Sequence, residues 1–524
     1  MSIKKLPFNY TPVASSPTDA NLFSIFSREE EILWFLNHFI MLTDSAGHID
    51  GGVLVDNHID FDISRYPLQL LRNCPLINFH GISKTFALSN YSRISDFIIH
   101  AINDGYYVYI YVETTCIKAY ADYGSEVIRG HDMLIYGYNL ADKTFNIADF
   151  FTSGHSHEVC SFDELEKASA EASRNYNFYE NTIFLIKKSG TYQTKINVPL
   201  VKQLVNDYIR GESSVTLINK PLSLHGGNKF AYGTNIYKSL SYSIENETIA
   251  LSDIVKPLHV MHDHKLIMLM LIERLYREGY LNNYASISNK LKELVKKLLT
   301  FRNFMIKCLI VGKADKSTIL SKLAEVAEND TAIFNEIHDA LTDNILPLNH
   351  GEPDVKSNAK FLYEDRETAK GVAWSQKYGN DGYYIVGCPA KTPSIAKYRI
   401  CDANFVLHPD ADNRALFVPG RDVPTEVGVL YSFNQFFMDF YAEHTTQVAF
   451  YFYNHERDVK DFTIDFVDLN SNEKILEYTP IDFNEGMYVS FAIQGHVRLI
   501  FRSIGKVEDY SNAIICAIFF DAIQ

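Results

Sequence analysis

The chain has 524 residues, and its 64 acidic and 49 basic side chains give a net charge of −15. So long a chain exceeds what one hydrophobic core supports, which predicts several domains. The composition, 47% hydrophobic and 22% charged, is that of an ordinary globular protein. Because nucleic acid and anionic membranes both select positive surfaces, the charge predicts that neither is a partner.

Targeting segments and a disulfide framework are not expected. Lys4 and Lys5 precede polar residues rather than the apolar run of a signal peptide. The most apolar later segment, Leu266 to Ile272, is far shorter than the roughly 20 residues that span a bilayer. The seven cysteines are an odd number without CxxC pairs, which favours reduced thiols in a cytoplasm and predicts no metal centre.

Residues 1–190 alternate between strand and helix patterns. Tyr106 to Val112, Met133 to Tyr138 and Thr182 to Lys187 are rich in β-branched and aromatic residues, as strands of one sheet are. Ser161, followed by Glu164 three residues later, forms the sequence pattern of a capping box and begins a helix. This part is predicted to be an α+β domain.

Residues 191–345 change to helical periodicity and are predicted to form a helical domain. Ile287 to Val311 and Ser317 to Thr342 each carry apolar residues at intervals of three and four, and Gly312 is placed as a C-cap residue between them. So short a turn predicts an antiparallel helical hairpin. Its apolar stripes either pack on each other or form a groove for a partner.

A linker and a β-rich domain are predicted to follow. Residues 343–356 are rich in turn formers, and residues 357–524 contain many short runs in which large apolar residues alternate with others. Val448, Phe450 and Phe452 are one such run. Antiparallel strands that bury one face in this way most naturally close into a β-sandwich.

The candidate chemistry lies in the segment from Gly130 to Phe150. His131 begins an apolar strand, a polar turn follows, and a second strand runs into Asp149. If the two strands form a hairpin, the two side chains lie near the same end of it. A carboxylate that holds one imidazole nitrogen leaves the other free to accept a proton, which is the requirement for a general base.

These residues resemble a known family. The segment has the pattern Gly-His, an apolar strand, Gly137-Tyr138 and then Ala148-Asp149. This pattern is similar to that of papain-like domains in double-glycine peptidases and in the butirosin biosynthesis protein H family. Tyr107 to Thr114 resembles the preceding strand, with Glu113 at its acidic position. The resemblance covers about residues 1–345. It implies a papain-like fold and an acyltransferase of specialised-metabolite biosynthesis that takes an acyl group from a carrier protein.

The chain departs from this family at the nucleophile. The family places a cysteine at the start of the first core helix, but the corresponding segment, Asn21 to Leu42, contains none. Ser24 and Ser27 are the nearest hydroxyls, and Ser27 is either a nucleophile or the N-cap of a helix with Glu30 at its N3 position.

Cys116 and Cys74 are alternative nucleophiles. Cys116 lies just after the strand that begins at Tyr106, and Cys74 precedes His131 in the expected order. Neither has the helix N-terminus that lowers a thiol pKa, and Cys74 lies in an apolar context typical of a packed residue.

Two histidine clusters are candidate ligand sites. His259 and His262 share a helix face beside Asp263, but no fourth ligand follows at a recognisable spacing, so a structural role is favoured over a metal. His155 and His157 follow Asp149 in a polar stretch and are favoured as part of a solvated loop.

The β-rich domain resembles β-sandwich modules of bacterial glycoside-active proteins over about 160 residues, beginning with the segment Phe361 to Val386. The resemblance implies a glycan site, and Trp374, Tyr378 and Tyr383 are suitable aromatic platforms. Aromatic residues on strands also form cores, so a structural or partner-binding domain is the alternative.

We therefore predict an α+β multidomain protein with a papain-like domain (1–190), a helical domain (191–345) and a β-sandwich (357–524). The leading function is acyl or peptidyl transfer or hydrolysis with His131 as base and Asp149 as its orienting carboxylate, without a cofactor. The rival function is a catalytically inactive relative that binds a carrier protein, a peptide or a glycan.

Overall fold

The computed structural model describes the whole chain except residues 1–2, 12, 27–30, 45–58, 65–66, 128, 153, 173–180, 190–194, 214–230, 343–352, 354, 369, 410–412, 421–425, 456–459, 506–510 and 524. Its described residues form helices and antiparallel sheets, so the protein is of the α+β class. Of the described helices, none combines the length and apolarity that crossing a bilayer requires.

The chain divides into two compact units. The first contains Met1–Ser189, Leu200–Met270 and Ala285–Asp339, and the second contains Gly190–Pro199, Leu271–Tyr284 and Ala340–Gln524. The two helices predicted within residues 191–345 therefore lie almost entirely in the first unit.

The helices are numbered in chain order. They are α1 Pro17–Ile25, α2 Leu33–His38, α3 Pro67–Asn73, α4 Lys84–Asn90, α5 Ile94–Asn103, α6 Phe162–Ala172, α7 Val198–Arg210, α8 Asn235–Glu245, α9 Val255–Arg277, α10 Tyr284–Val311 and α11 Lys316–Ala340.

The first unit contains two antiparallel sheets. Its strands are β1 Ile3–Lys5, β2 Leu42–Asp44, β3 Ile59–Phe61, β4 Ile77–Ser83, β5 Tyr107–Glu113, β6 Gly130–Asn139, β7 Thr144–Phe150, β8 His155–Ser161, β9 Thr182–Lys188 and β10 Ala231–Tyr232. The large sheet has the order β4-β9-β5-β6-β7-β8, with β1 on β6, and the small one has the order β10-β2-β3.

One face of the large sheet is covered by α5 and α6. Side chains that alternate along β5, β6 and β7 pack against these helices, as successive strand residues point to opposite faces. Helix α6 begins with the capping box that the sequence predicts: Ser161 Oγ accepts from the Glu164 amide at 3.2 Å, and Glu164 Oε2 accepts from the Ser161 amide at 2.7 Å.

Helices α10 and α11 form an antiparallel hairpin, as predicted. Lys290 pairs with Glu336 at 2.5 Å and Lys297 with Glu325 at 2.7 Å, so the start of α10 lies beside the end of α11. Gly312 adopts a φ of 68° between them, a left-handed conformation that suits glycine at a helix C-terminus.

The second unit is built from antiparallel strands. They are β11 Asn358–Asp365, β12 Gly382–Ile385, β13 Lys397–Cys401, β14 Asn404–Pro409, β15 Glu426–Ser432, β16 Gln435–Phe452, β17 Phe462–Asp468, β18 Lys474–Tyr478, β19 Met487–Ser503, β20 Ala513–Ile515 and β21 Ala517–Ala522.

These strands form an eight-stranded sheet of order β12-β21-β16-β19-β17-β18, with β11 on β19 and β13 on β16, and a three-stranded sheet of order β14-β15-β20. Both sheets contribute side chains to one aromatic-rich core, which includes Phe450, Phe491 and Tyr431. The long strands β16 and β19 lie side by side at its centre.

Candidate functional site

His131 and Asp149 meet on one face of the β6–β7 hairpin. The register pairs Leu134 with Ala148, and the alternation of strand residues puts His131 and Asp149 on the same face of the sheet. The Nδ1–H of His131 donates to Asp149 Oδ2 at 2.7 Å. The geometry predicted from the sequence spacing is therefore present.

Asp149 is a fully buried carboxylate held by three donors. Besides His131, the hydroxyl of Tyr120 donates to Oδ2, and the amide of Phe150 donates to Oδ1 at 2.7 Å. Burial, followed by the charge of Asp149, raises the pKa of Tyr120 well above its ordinary value, so the phenol keeps its proton. Sequence reasoning missed Tyr120, because no spacing links it to either strand of the hairpin.

The imidazole of His131 has one anchored and one open nitrogen. Its side chain is 36% exposed. Nδ1 also lies 3.1 Å from the carbonyl of Asp132, whereas Nε2 makes no hydrogen bond to any residue that the structure describes. Burial alone would lower the pKa of His131, but the hydrogen bond and charge of Asp149 outweigh it and raise this pKa. The partly exposed imidazole therefore has a tautomer fixed by Asp149 and an Nε2 without a hydrogen-bond partner among the described residues, as a general base requires.

The structure does not bring Ser24 to this imidazole. Helix α1 contacts the other face of the sheet, where Thr18 lies 3.1 Å from Tyr109 and Asn21 lies 3.0 Å from His155. Ser24 is fully buried on that helix, and its hydroxyl has no hydrogen-bond partner among the described residues. The face with His131 is instead covered by α5 and α6.

Of the other proposed nucleophiles, the two cysteines are buried thiols. Ser27 lies outside the described residues. Cys116 is buried at the end of a short 3-10 turn after β5, and burial raises its pKa. Burial likewise raises the pKa of Cys74 to about 12. Glu113 is buried and accepts hydrogen bonds from Thr115 and from the amide of Arg129, so it supports the turn rather than facing a substrate.

His155 and His157 lie on the same sheet face as α1 and belong to strand β8, not to a loop. Burial, followed by the charge of His157, lowers the pKa of His155 to about 4. The ring of Tyr10 stacks on His157 at 4.1 Å between centroids. Two neutral imidazoles packed on aromatic rings are typical of a structural cluster.

Ligand atoms of His259, His262 and Asp263 lie within 4.8 Å of one another on α9, the spacing of a candidate metal site. Arg302 Nη1 donates to His259 Nδ1 at 3.0 Å, which leaves the proton of that ring on Nε2, 3.5 Å from Asp263. Asp263 also accepts from His262 at 3.0 Å and from the amide of Ala14 at 2.7 Å. A protonated Nε2 cannot bind a metal, so this network fits the structural role that the sequence favoured.

The aromatic residues proposed as a sugar platform do not form an open surface. Trp374 and Tyr378 are 2% and 1% exposed. The indole of Trp374 donates to the carbonyl of Phe417 at 3.0 Å, and the Tyr378 hydroxyl donates to Asp365 at 2.7 Å. Tyr383 is half-buried and packs edge-on against Trp374. These side chains are part of the core of the second unit.

Comparisons with known proteins add little to this geometry. No family model matches the chain, and no curated protein matches it. Among solved structures, the chain is similar to a histidine mutant of the lectin binding domain of lectinolysin complexed with Lewis b, with 13% sequence identity and a TM-score of 0.16. That likeness covers 26% of this chain and 100% of the lectin domain. A TM-score of this size supports no inference about fold or ligand.

Proposed function

We propose that the first unit has a papain-like fold and transfers or hydrolyses an acyl or peptidyl group, with His131 as general base and Asp149 as the carboxylate that orients it. The observation that carries this proposal is the 2.7 Å hydrogen bond between them, which leaves Nε2 open. The resemblance to the butirosin biosynthesis protein H family supports a carrier-protein thioester as the acyl donor.

The acceptor molecule is the group that His131 activates. No described hydroxyl or thiol forms a hydrogen bond with Nε2, so the base is available to a bound amine, alcohol or water. Nε2 takes the acceptor's proton as the acceptor atom bonds to the thioester carbonyl carbon. The carbon–sulfur bond then breaks, and the leaving thiolate takes the proton from the imidazolium. Asp149 stabilises that imidazolium while it exists.

Incubation with acyl-pantetheine and acyl-carrier thioesters tests the proposal. The full chain should consume the thioester in the presence of an amine, and His131→Gln should abolish this. Asp149→Asn should slow it by on the order of a thousandfold or more, because the wrong tautomer is then held. His80→Gln, which changes an exposed histidine on β4, is the matched control.

Intact-mass spectrometry separates the direct mechanism from a covalent one. The direct mechanism predicts no acyl adduct on the chain during turnover. An adduct at any serine or cysteine would show that a protein nucleophile acts and that the acceptor is not activated directly. Thioester loss that is equal in wild type and His131→Gln would exclude this site from the chemistry.

The second candidate is a binding protein that keeps the histidine–aspartate pair without turnover. The observation that favours it is the placement of Ser24 on the opposite sheet face, together with the raised pKa of Cys116 and Cys74. This function predicts saturable binding of an acyl-carrier protein by calorimetry with no loss of thioester. Binding that survives His131→Gln unchanged would place the contact elsewhere.

We propose a β-sandwich with a structural or partner-binding role for the second unit. The burial of Trp374 and Tyr378 supports this role over a glycan platform built on them. Screening of the full chain on a glycan microarray tests this role. Binding to a defined glycan that is lost in Tyr383→Ala would contradict the structural role and support a glycan site.

A further inference from the structure

Helix α10 is strongly basic in an acidic protein. It carries six lysines or arginines, Lys290, Lys292, Lys296, Lys297, Arg302 and Lys307, against the single acidic residue Glu293. Lys290 and Lys297 pair with glutamates of α11, and Arg302 binds His259. The remaining positive charges of the helix are not used by these contacts.

The unused lysines lie on the outward face of the hairpin. Lys292, Lys296 and Lys307 are exposed, as is Lys313 in the turn, and none has an ion-pair partner among the described residues. The buried face of α10 is defined by Leu291, Leu294, Leu298, Phe301 and Met305, which lie on the opposite side of the helix.

Large apolar side chains share this outward face. Leu299, Ile306 and Ile310 recur at helical spacing among the lysines and are 38%, 36% and 82% exposed. Leu309 and Val311, at 41% and 64%, extend the apolar surface around the end of the helix. From Lys292 to Ile310 the face is about 27 Å long at 1.5 Å per residue.

The tip of the hairpin is open to its surroundings. A side chain added at Gly312 would meet nothing within 4 Å, and Ile310 is the most exposed large apolar residue in the described part of the chain. An exposed apolar tip flanked by lysines is suited to shallow insertion, with the ammonium groups at the level of lipid phosphates. An acidic protein helix would instead gain most from a groove, and a side chain that is 82% exposed, as Ile310 is, has no groove walls around it.

We propose that the outer face of α10 and the hairpin tip bind the surface of an anionic lipid bilayer. This proposal departs from the expectation drawn from the net charge of −15, because that number averages over the whole chain and hides the basic face of α10. Charges more than about 8 Å from the contact are screened at physiological ionic strength. The lysines attract the anionic headgroups, and Ile310 and Val311 enter the interface.

Vesicle sedimentation of the full chain tests this proposal. The wild type should pellet with vesicles of phosphatidylcholine containing 30% phosphatidylserine but not with phosphatidylcholine alone, and 0.5 M salt should release it. Each lysine near an anionic surface strengthens binding roughly fivefold. Reversing Lys292, Lys296 and Lys307 to glutamate should therefore weaken partitioning at least tenfold, and Ile310→Asp should also weaken it.

Matched controls carry the same changes elsewhere. The first control changes three other lysines to glutamate together, Lys143, Lys238 and Lys360. All three are exposed and have no ion-pair partner among the described residues. The second control, Ile481→Asp, alters an apolar residue that is 69% exposed. Both controls should bind vesicles as the wild type does. Equal loss in controls and α10 variants would overturn the proposal, because it would reveal a general charge effect.

Tryptophan fluorescence measures whether the hairpin tip inserts into the bilayer. Both native tryptophans are buried, so a tryptophan introduced by Ile310→Trp reports on the tip. Its emission should shift to shorter wavelength with anionic vesicles and be quenched by brominated lipid. Absence of vesicle binding at low salt would overturn the proposal, as would binding to soluble polyglutamate in preference to vesicles, which would assign the face to an acidic protein.

Discussion

Removing the hydroxyl of Tyr120 is the sharpest perturbation of the candidate site. Tyr120 donates to Asp149 Oδ2, the same oxygen that accepts from His131 Nδ1. Tyr120→Phe deletes this donor without changing the ring, which packs edge-on against Phe151 at 4.9 Å between centroids. The carboxylate stays buried and keeps, among the described residues, the donors of His131 and of the Phe150 amide.

Tyr120→Phe should lower the free energy of unfolding and raise the pKa of His131. A hydrogen bond to a buried charged group contributes about 1.5–3 kcal/mol, so the free energy of unfolding should fall by that amount. The carboxylate that has lost a donor should attract the His131 proton more strongly, so the pKa of His131 should rise further above its ordinary value. A residue with a purely structural role would change the stability alone.

Urea denaturation measures the first effect, and NMR titration of the His131 ring measures the second. Tyr138→Phe is the matched control, since that buried hydroxyl donates to the neutral Asn103 Oδ1 at 2.8 Å. It should cost about 1 kcal/mol and leave the pKa of His131 unchanged. A loss below 0.5 kcal/mol in Tyr120→Phe with an unaltered His131 pKa would refute the reasoning.

Three further predictions concern titration and the buried charges. Burial, followed by the charge of Asp60, raises the pKa of Asp19 to about 8. Between about pH 4 and 8 the native state therefore keeps a proton that the unfolded chain releases, so the free energy of unfolding should fall as the pH rises from about 4 to 8. Asp19→Asn should flatten that slope in urea titrations and add on the order of 3 kcal/mol at pH 7, whereas an unchanged slope would contradict the assignment. Lys265→Met should cost about 3–5 kcal/mol in thermal unfolding, because the buried charge of Asp330, 2.7 Å away, then keeps only the hydroxyls of Tyr208 and Tyr237 among its described partners. Changing Lys265 and Asp330 together to apolar residues should cost less. The raised pKa of His131 predicts that any His131-dependent rate increases through a pH above about 6.5, and an acidic limb below that value would exclude it as the base.

Local pattern was enough to predict some of these features. His131 and Asp149 are 18 positions apart on consecutive strands, so a hairpin brings them together whatever the rest of the chain does. The capping box at Ser161 is likewise a property of four adjacent residues. The helical hairpin was predicted from the periodicity of its two helices and from the glycine between them.

Features that depend on tertiary packing could not be predicted from local sequence pattern. Tyr120 reaches Asp149 from the segment after the neighbouring strand β5, and no periodicity marks it. Trp374 and Tyr378 have the residue types of a sugar platform, but residue type alone does not distinguish a platform from a core. Both side chains are buried and form hydrogen bonds to Phe417 and Asp365, and these contacts arise only when the whole domain is packed.

The same distinction bears on the missing nucleophile. A hairpin places the base and its carboxylate, but the side of the sheet that a helix covers depends on packing along the whole chain. Here α1 packs on the face of Tyr109 and His155, and His131 lies on the other face. The histidine–aspartate pair is therefore held by β6, β7 and Tyr120, and the described residues of α1 neither support it nor offer it a nucleophile. What His131 can still do depends on the molecule that reaches Nε2, so the thioester and acceptor assays address the function more directly than a search for a replacement serine or cysteine.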